Sequence, residues 1–360
     1  MQNWFDSVGG QMAKRVVGLD FGFDRIRAVE VRNPDKSRPT VTRAASVSLP
    51  AGAVVSGEVR EIHTVAAAIK KLWASGGFGS KDVVIGVGNQ RVLARDLAVP
   101  RMPLAQIREA LPFQVQDMLP VPVAEALLDF YPVSEGMGES GPIVNGLLIA
   151  AIKESVLANV NSVRSAGLNP VQVDLIPFAL TRVLARDTSG RGTVALVDIG
   201  ANTTNVVIVT DGVPQFVRMI PTGGQDLTTA LSSRLEISPE QAETAKRSRG
   251  LSNMPPSSPG ERVVAEVIAE TAGELINSLR NTINYYFNTR PQLQLRSVIL
   301  TGGGAELIGL AAALSEALRA QVMPADAFGA VDVRSTVLKQ LGQERQSMTV
   351  ALGLALGSAA

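Results

Sequence analysis

The chain twice ends a β-branched run in aspartate, a hydrophobic residue and glycine: Arg15-Val16-Val17-Gly18-Leu19-Asp20-Phe21-Gly22 and Val194-Ala195-Leu196-Val197-Asp198-Ile199-Gly200. A third apolar run, Val298-Ile299-Leu300, breaks into Thr301-Gly302-Gly303-Gly304. Each run predicts a buried strand, and each glycine cluster predicts the tight turn after it. Glycine lets backbone N–H groups approach a phosphate, and an aspartate at a strand end can hold a hydrated cation. Two such turns in two halves of the chain predict a nucleotide between two related lobes.

Composition excludes several classes of function. The 360 residues carry 34 basic and 33 acidic side chains, and this balance gives no bulk attraction to nucleic acid. There is no cysteine, so disulfides and thiolate metal sites are excluded, and the single histidine, His63, argues against histidine-based metal or triad chemistry. No apolar run reaches the roughly 18–20 residues that span a bilayer. The C-terminal stretch Met348–Ala360 predicts a buried closing helix instead.

The first part of the chain predicts an α/β lobe. Two hairpin-like steps precede any helix, which is unlike a Rossmann unit. The predicted elements are strands Arg15–Asp20, Ile26–Arg32 and Thr40–Ser48, a helix His63–Ala74 and a strand Asp82–Val87.

A different pattern begins at Asn89 and predicts a small α+β domain that ends at Gly167. It comprises a strand Val92–Val99, a helix Leu104–Leu119 and two strands, Ala126–Val133 and Pro142–Ile152, joined by a mobile loop over residues 134–141. The helix carries an apolar stripe formed by Leu104, Ile107, Leu111, Val115 and Leu119. This stripe either lines a peptide-binding groove or packs inside its own domain.

The second half repeats the opening pattern. Strands are predicted at Thr193–Asp198, Thr204–Thr210 and Pro214–Ile220, with Asp211-Gly212 as a hairpin turn. Helices follow at Gln225–Leu235, from Ser238 to Arg249 and at Arg262–Tyr286, before a final α/β part that begins at Arg296.

This order of strand, Asp-x-Gly turn and glycine-rich turn resembles the actin, Hsp70 and sugar-kinase superfamily. The inserted domain resembles that of the division protein FtsA, and the chain resembles the PilM family of type IV pilus assembly proteins still more closely. The local phrases that carry this likeness are Gly18-Leu19-Asp20-Phe21-Gly22, Arg27-Ala28-Val29-Glu30-Val31, Ala166-Gly167-Leu168-Asn169-Pro170 and Val197-Asp198-Ile199-Gly200-Ala201-Asn202-Thr203-Thr204.

The resemblance implies an α/β, two-lobed actin-like (Hsp70-like) ATPase fold with an inserted small α+β domain of the FtsA 1C (SHS2) type. The implied divisions are an N-terminal extension at 1–13, lobe 1 (1A) at 14–88 and 168–192, the inserted 1C domain at 89–167, lobe 2 (2A) at 193–236 and 291–360, and a helical 2B subdomain at 237–290.

The resemblance also implies ATP and Mg²⁺ as ligands. Asp20 and Asp198 would hold Mg²⁺ through water, and Asp174 matches the position of a water-orienting catalytic group. The residues implied for nucleotide binding are Asp20, Gly22, Phe23, Asp24, Arg27, Asp198, Gly200, Asn202, Thr203, Thr204, Glu243, Lys246, Gly302, Gly303 and Gly304. Two simpler interpretations stay open: Glu243 and Lys246 as a surface pair three residues apart, and Asp174 as a helix cap.

One departure from the family pattern bears on activity. The residues after the first turn, Phe23-Asp24-Arg25, replace the small hydroxyl residues that the superfamily usually has there. Asp24 disfavours phosphate unless Arg25 or Arg27 offsets its charge. We therefore expect nucleotide binding with slow or no hydrolysis.

The leading functional hypothesis is a cytoplasmic adaptor, peripherally associated with the inner membrane through a partner. The PilM resemblance implies binding to the N-terminal cytoplasmic peptide of a PilN-like membrane protein within the pilus platform complex, with self-association as a further expectation and no nucleic acid. One alternative is an FtsA-like division protein, which would carry a linker and an amphipathic membrane helix at its C-terminus. The sequence Leu352-Gly353-Leu354-Ala355-Leu356-Gly357 has neither a linker before it nor a basic face, which argues against this alternative. The other alternative is a sugar kinase, but no residues in the sequence indicate a substrate pocket with a catalytic base.

Overall fold

The first part of the computed structural model forms a strand–turn–strand unit followed by a helix. The structure describes residues 15–185 and 192–357, so the predicted extension at 1–13 lies outside the described residues. Strands β1 and β2 pair antiparallel, and their register places Asp20 opposite Arg27. The predicted strands and helix are confirmed to within two residues at each end. The elements are β1 (Arg15–Phe21), β2 (Arg25–Arg32), β3 (Thr40–Ser48), β4 (Val54–Val55), β5 (Glu58–Val59), α1 (Ile62–Gly76) and β6 (Asp82–Val87).

The inserted region forms a sheet of its own, with strands in the order β7-β9-β8. Its elements are β7 (Val92–Pro100), α2 (Leu104–Gln114), β8 (Ala126–Gly138), β9 (Gly141–Ile152) and α3 (Lys153–Ser165). Two predictions here were wrong. Strands β8 and β9 pair as far as Gly138 and Gly141, so the segment predicted as a mobile loop is mostly ordered hairpin. Helix α2 ends at Gln114, and Leu119 is extended because the proline that follows it disfavours the helical region.

The apolar stripe on α2 forms the core of the inserted region. Ile107, Leu111 and Val115 are at most 2 % exposed, and Leu104 and Leu119 pack at the edge of the same cluster. They lie against buried residues of the three-stranded sheet, Val99, Phe130, Val144 and Leu148. The stripe therefore packs inside its own domain and is not a peptide-binding groove.

The second half builds a five-stranded sheet in the order β13-β12-β11-β14-β15. Asp211 and Gly212 both have positive φ (50° and 84°), as a tight hairpin turn requires. Ser238 caps α6 by accepting a hydrogen bond from the Gln241 N–H, as predicted. The elements, with the two that precede them, are β10 (Asn169–Leu175), α4 (Ile176–Leu184), β11 (Thr193–Ile199), β12 (Thr204–Thr210), β13 (Val213–Ile220), α5 (Gly224–Leu235), α6 (Pro239–Arg249), α7 (Pro259–Asn288), β14 (Leu295–Thr301), α8 (Leu310–Leu318) and β15 (Gln321–Pro324).

The chain then returns to the first part of the molecule through β16 (Asp332–Val333), α9 (Ser335–Leu341) and α10 (Thr349–Ala355). Strand β16 completes a six-stranded sheet in the order β10-β6-β1-β2-β3-β16, here called the first sheet; the five-stranded sheet is called the second sheet. The sequence placed the whole of 291–360 in lobe 2, whereas β16 and α10 both lie on the first sheet. The domain limits themselves stay a prediction.

Helix α10 is the predicted closing helix, and it is buried along its whole length. Two glycines allow its close approach. A Cβ on Gly18 in β1 would lie 2.0 Å from the Ala351 carbonyl oxygen, and one on Gly353 would lie 2.2 Å from the Ala179 carbonyl oxygen. Since α10 fills the space beneath β1, it is part of the first sheet's core. Within residues 15–185 and 192–357, no helix is both long and apolar enough to cross a bilayer.

Candidate functional site

Two aspartates stand at equivalent strand ends, one in each sheet. Asp20 lies at the end of β1 and Asp198 at the end of β11; the side chain of Asp20 is 15 % exposed and Asp198 is 7 % exposed overall. The guanidinium of Arg27 lies 3.9 Å from the carboxylate of Asp20. The side-chain amide of Asn205, opposite Asp198 in the ladder, donates to it at 3.3 Å. The site is therefore assembled from two strand pairs related by the repeat.

The two carboxylates are close enough for the charge of Asp20 to act on Asp198. Burial raises the pKa of Asp198 to about 6, with the Asp20 charge as the second cause; the Asn205 hydrogen bond and Arg27 oppose the rise. Burial also raises the pKa of Asp20, against the attraction of Arg27. Two carboxylates that disfavour each other's ionisation are stabilised by a cation placed between them. The pair is thus suited to a hydrated divalent ion.

Unsatisfied polar atoms mark the same place. Among the described residues, five buried side-chain polar atoms have no hydrogen-bond partner, and buried polar groups normally have one. Four of the five belong to residues of the two Asp-x-Gly turns or the strands that follow them: Arg27 Nε, Asn202 Oδ1, Thr203 Oγ1 and Asn205 Oδ1. Asn205 Oδ1 also lies 3.3 Å from where a Cβ on Gly88 would stand, at the end of β6 in the first sheet. These atoms are available to bind a ligand between the sheets.

The two turns after the aspartates are closed by matching backbone bonds. The Gly22 N–H donates to the Arg25 carbonyl at 3.0 Å, and the Gly200 N–H donates to the Thr203 carbonyl at 2.9 Å. Arg27 borders the first turn, since a Cβ on Gly22 would lie 2.6 Å from its Nη1. The Thr204 hydroxyl donates to the Thr222 carbonyl at 2.7 Å and holds the second turn to the next segment.

Phe23 and Asp24 occupy the first turn with different exposures. Phe23 is half-buried, whereas the Asp24 side chain is 63 % exposed and its carboxylate lies 3.6 Å from Arg25. Arg25 also pairs with Glu344 at 2.9 Å. The charge of Asp24 is thus turned to the surface, where Arg25 is shared between Asp24 and Glu344.

The three glycines after β14 have different surroundings. Gly302 has φ 88°, and a Cβ there would lie 2.7 Å from Asp198 Oδ1. A Cβ on Gly304 would lie 2.4 Å from the Ile199 side chain. A Cβ on Gly303 would meet nothing within 4 Å. The first and third glycines are required by the fold, whereas the space at Gly303 is open to a ligand.

Glu243 and Lys246 lie close to this glycine turn. Lys246 Nζ lies 2.5 Å from Glu243 and donates to the Gly224 carbonyl at 3.0 Å, and a Cβ on Gly224 would lie 3.5 Å from Gly304 Cα. Burial raises the pKa of Glu243, but hydrogen bonds from Lys246, Thr228 and Arg247 outweigh it and hold the pKa below its ordinary value. The pair is consequently fixed by several hydrogen bonds at one wall of the site.

Asp174 lies in β10 and is bound to a neighbouring arginine. Its carboxylate accepts from Arg182, and its other oxygen accepts from the Leu175 N–H at 2.8 Å. Arg182 also donates to the Gly353 carbonyl, so the ion pair ties β10 and α4 to α10. Helix α4 begins at Ile176, and its N-cap residue is Leu175. The alternative interpretation of Asp174 as a helix cap is therefore wrong.

The donor set fits a magnesium nucleotide better than a protein-held metal. Throughout 15–185 and 192–357, no three of the side chains His, Cys, Asp and Glu gather into a metal-binding group. Mg²⁺ is usually bound by one or two carboxylates, water and substrate phosphates. Asp20 and Asp198 supply the carboxylates, and the open space at Gly303 admits the rest.

Two participants were not found from sequence. Asn205 follows the predicted phosphate turn by one residue, and only the β11–β12 register shows that it faces Asp198. Gly224 starts α5 and contacts both Lys246 and the glycine turn. The Gly223-Gly224 pair before a helix was a usable signal for it.

A family model described as "Type IV pilus assembly protein PilM" matches residues 18–359. The chain belongs to the PilM family. A solved structure described as a PilM–PilN type IV pilus biogenesis complex has 31 % identity and a TM-score of 0.82, covering 95 % of this chain and 97 % of that one. The PilM resemblance is thereby confirmed.

More distant relatives confirm the actin-like fold. The FtsA protein of Bacillus subtilis (strain 168) is 24 % identical over 345 residues, which cover 85 % of this chain and 77 % of FtsA. The ethanolamine utilization protein EutJ of Carboxydothermus hydrogenoformans has a TM-score of 0.55 at 19 % identity, covering 98 % of this chain and 92 % of EutJ. MreB5 of Spiroplasma citri, bound to ADP, has a TM-score of 0.54 at 12 % identity, covering 92 % and 97 %. These two structures show the shared fold alone.

Proposed function

We propose that the chain is an ATP-binding adaptor of type IV pilus assembly that binds the N-terminal cytoplasmic peptide of a PilN-like inner-membrane protein. The observation that carries the nucleotide part is the set of four unsatisfied buried atoms around Asp20 and Asp198. The observation that carries the partner is the likeness to a PilM that was solved in complex with PilN. In this proposal the chain is cytoplasmic and reaches the membrane and the pilus platform through its partner, and self-association is a further part of the proposal.

Each side of the site has a separate task in nucleotide binding. Asp20 and Asp198 would hold Mg²⁺ through water. Arg27 Nε and Thr203 Oγ1 would donate to phosphate oxygens, and the Asn202 carbonyl Oδ1 would accept from a water on Mg²⁺. The Gly303 backbone would lie against the α-phosphate and ribose, with Lys246 and Glu243 beside the ribose and purine. Mg²⁺ would supply charge compensation between the phosphates and the two aspartates.

Hydrolysis is expected to be slow. Phe23 offers no hydroxyl to the phosphates, and Asp174 is held by Arg182 instead of being free to orient water. Steady-state phosphate release should stay well below about 1 per second, the low end of ordinary enzyme turnover. Subtracting the rate of an Asp198→Asn preparation corrects for contaminating ATPases. A rate at or above that value that disappears in Asp174→Asn would contradict the prediction and make Asp174 catalytic.

A pocket lies between the β4–β5 hairpin and the start of the inserted domain, and we propose it as the peptide site. It has a volume of about 140 Å³ and is lined by Val55, Ser56, Glu58, Arg60, Asn89, Gln90 and Arg91. Glu58 is 6 % exposed and pairs with Arg60 at 3.0 Å and Arg91 at 3.2 Å. Asn159 fixes the pocket wall by bonding the Val59 N–H and the Gly57 carbonyl. The pocket thus has an ordered wall, with Arg60 and Arg91 beside the buried Glu58.

Substitution at the pocket should weaken peptide binding. Val55 is 42 % exposed, and Val55→Glu places a charge among the lining residues. We expect the affinity for a synthetic PilN N-terminal peptide, measured by calorimetry, to fall at least about tenfold. The bound peptide would bury the new carboxylate, and tenfold corresponds to a desolvation cost of about 1.4 kcal/mol. Met254→Glu, at an exposed apolar residue beyond α6, is the matched control and should leave binding unchanged.

Phe113 gives the opposing test of where the peptide binds. It is 86 % exposed at the end of α2, on the outer side of the inserted domain's core. If Phe113→Glu abolishes binding while Val55→Glu does not, the peptide lies on the inserted domain itself. Loss of binding in neither variant would place the partner elsewhere. An FtsA-like division role is the weaker alternative, because FtsA is matched at lower identity than the PilM structure.

A further inference from the structure

A second cavity lies on the face of the first sheet that α1 covers. Its volume is about 130 Å³, and three arginines, Arg15, Arg43 and Arg334, line it together with the buried Glu30. Glu30 and Arg43 are cross-strand partners in β2 and β3. Val17 is the partner of Glu30 in β1, and Arg15 lies two residues before it on the same face. The three strands therefore direct these charges to one place, and Arg334 joins them from the residue after β16.

The carboxylate of Glu30 already accepts three hydrogen bonds, and none of the donors carries a charge. Its carboxylate is 2 % exposed and accepts from the Thr42 hydroxyl at 2.5 Å, the Gly79 N–H at 2.6 Å and the Ser80 N–H at 2.9 Å. These bonds anchor the loop after α1 to the sheet. A Cβ on Gly79 would lie 2.7 Å from Arg15 Nη1, so this loop passes close against the arginine. Glu30 is thus a structural anchor at the cavity wall.

The three guanidinium groups keep most of their donors. In the described residues 15–185 and 192–357, no carboxylate lies within 4 Å of the guanidinium nitrogens of Arg15, Arg43 or Arg334. Arg43 donates once, to the Thr42 carbonyl at 2.7 Å. Three positive charges against one carboxylate leave a local charge of plus two. Like charges gathered around a cavity without counter-ions are relieved by a bound anion.

We propose that this cavity binds a dianionic phosphate monoester. A monoester carries close to two negative charges at neutral pH and three acceptor oxygens, which match the local charge and the guanidinium forks. A carboxylate carries one charge and two oxygens and would leave an arginine unmatched. Arg15 and Asp20 stand at opposite ends of β1, five residues or about 17 Å apart, so this site is separate from the nucleotide site.

Titration of the full chain with glycerol 3-phosphate, followed by calorimetry, tests the proposal. Arg43→Gln and Arg334→Gln should each weaken binding about tenfold or more, because each removes charge-assisted hydrogen bonds. Arg262→Gln, an exposed arginine on α7, is the control of equal charge and should bind as the unmodified chain does. Asp198→Asn should also bind normally, which separates this site from the nucleotide cleft. Dimethyl phosphate, a monoanion, should bind at least about tenfold more weakly than the monoester.

Vesicles distinguish the source of the phosphate. Sedimentation with phosphatidic acid vesicles but not phosphatidylcholine, lost in Arg334→Gln, assigns the site to a lipid headgroup. Binding of glycerol 3-phosphate without sedimentation assigns it to a soluble ester. Arg334 is exposed, and its side chain makes no hydrogen bond or ion pair within the described residues. Arg334→Gln is therefore expected to fold, and it tests the proposal even if Arg43→Gln does not fold. The proposal is overturned if millimolar glycerol 3-phosphate does not bind, or if binding survives both arginine substitutions.

Discussion

Gly303→Val is expected to abolish ATP–Mg²⁺ binding and to leave the protein folded. A Cβ on Gly303 meets no protein atom within 4 Å, so the valine side chain enters the space that we assign to the α-phosphate and ribose. The unmodified chain should gain about 2.7 kcal/mol of stability when ATP–Mg²⁺ is at a hundredfold excess over its dissociation constant. In Gly303→Val this gain should vanish while the melting temperature without nucleotide stays close to that of the unmodified chain.

The neighbouring glycines provide the contrast for this experiment. Gly304→Ala should destabilise the protein even without nucleotide, because its Cβ would lie 2.4 Å from the Ile199 side chain. Gly302→Ala should do the same, since Gly302 has φ 88° and faces Asp198. An undiminished thermal shift in Gly303→Val would mean that the nucleotide does not pass this turn. The same melting temperature for all three variants would show that the open space at Gly303 has no special role.

The strands and the Asp-x-Gly turns could be predicted from sequence because their signals are local. A β-branched run that ends in glycine predicts a strand and a turn without information from the rest of the chain. The ends of the strands that carry Asp20 and Asp198 were accordingly predicted within two residues. The position of β16 and α10 could not be predicted. Their packing on the first sheet depends on contacts with β3 and with Gly18, which lie roughly three hundred residues earlier in the chain.

The inserted domain shows the same limit at shorter range. Its helix was predicted by an apolar period, but the period alone does not say whether the stripe faces a partner or its own sheet. Phe130 and Leu148 settle it, because they lie on the strands that cover the stripe. The hairpin was predicted too short because glycine, serine and glutamate usually indicate a loop, whereas backbone pairing between Gly136 and Ile143 continues regardless of those side chains.

The candidate site was predictable in its glycines and aspartates but not in its pairings. Arg27 was predicted to bind nucleotide and to offset the charge of Asp24, and the structure places it beside Asp20. Asp174 matched a catalytic position in the superfamily, yet its carboxylate is taken by Arg182, eight residues later on α4. Both pairings depend on side-chain directions across two elements, and sequence spacing does not report those directions.

Asp198→Asn is expected to stabilise the protein without nucleotide at pH 7 and to abolish Mg²⁺-dependent ATP binding. The folded-state pKa of about 6 lies above the ordinary value of 3.8, so the folded chain binds more protons than the unfolded chain between these values. The contribution of Asp198 to the free energy of unfolding therefore falls as pH rises from about 4 to 6 and is lowest at pH 7. At about 1.36 kcal/mol per pKa unit, replacement by the neutral amide should raise stability at pH 7 by at most about 3 kcal/mol.

The pH dependence separates this cause from a simple packing change. The gain in Asp198→Asn should be full at pH 7, decline through pH 6 and disappear near pH 4, as measured by denaturant unfolding across that range. Asp35→Asn, at an exposed aspartate before β3, should show no gain at any pH. A gain that is the same at pH 4 and pH 7 would contradict the electrostatic account. A stabilised protein that no longer binds ATP–Mg²⁺ would show that Asp198 is kept charged and buried for its ligand, at a cost to the stability of the empty site.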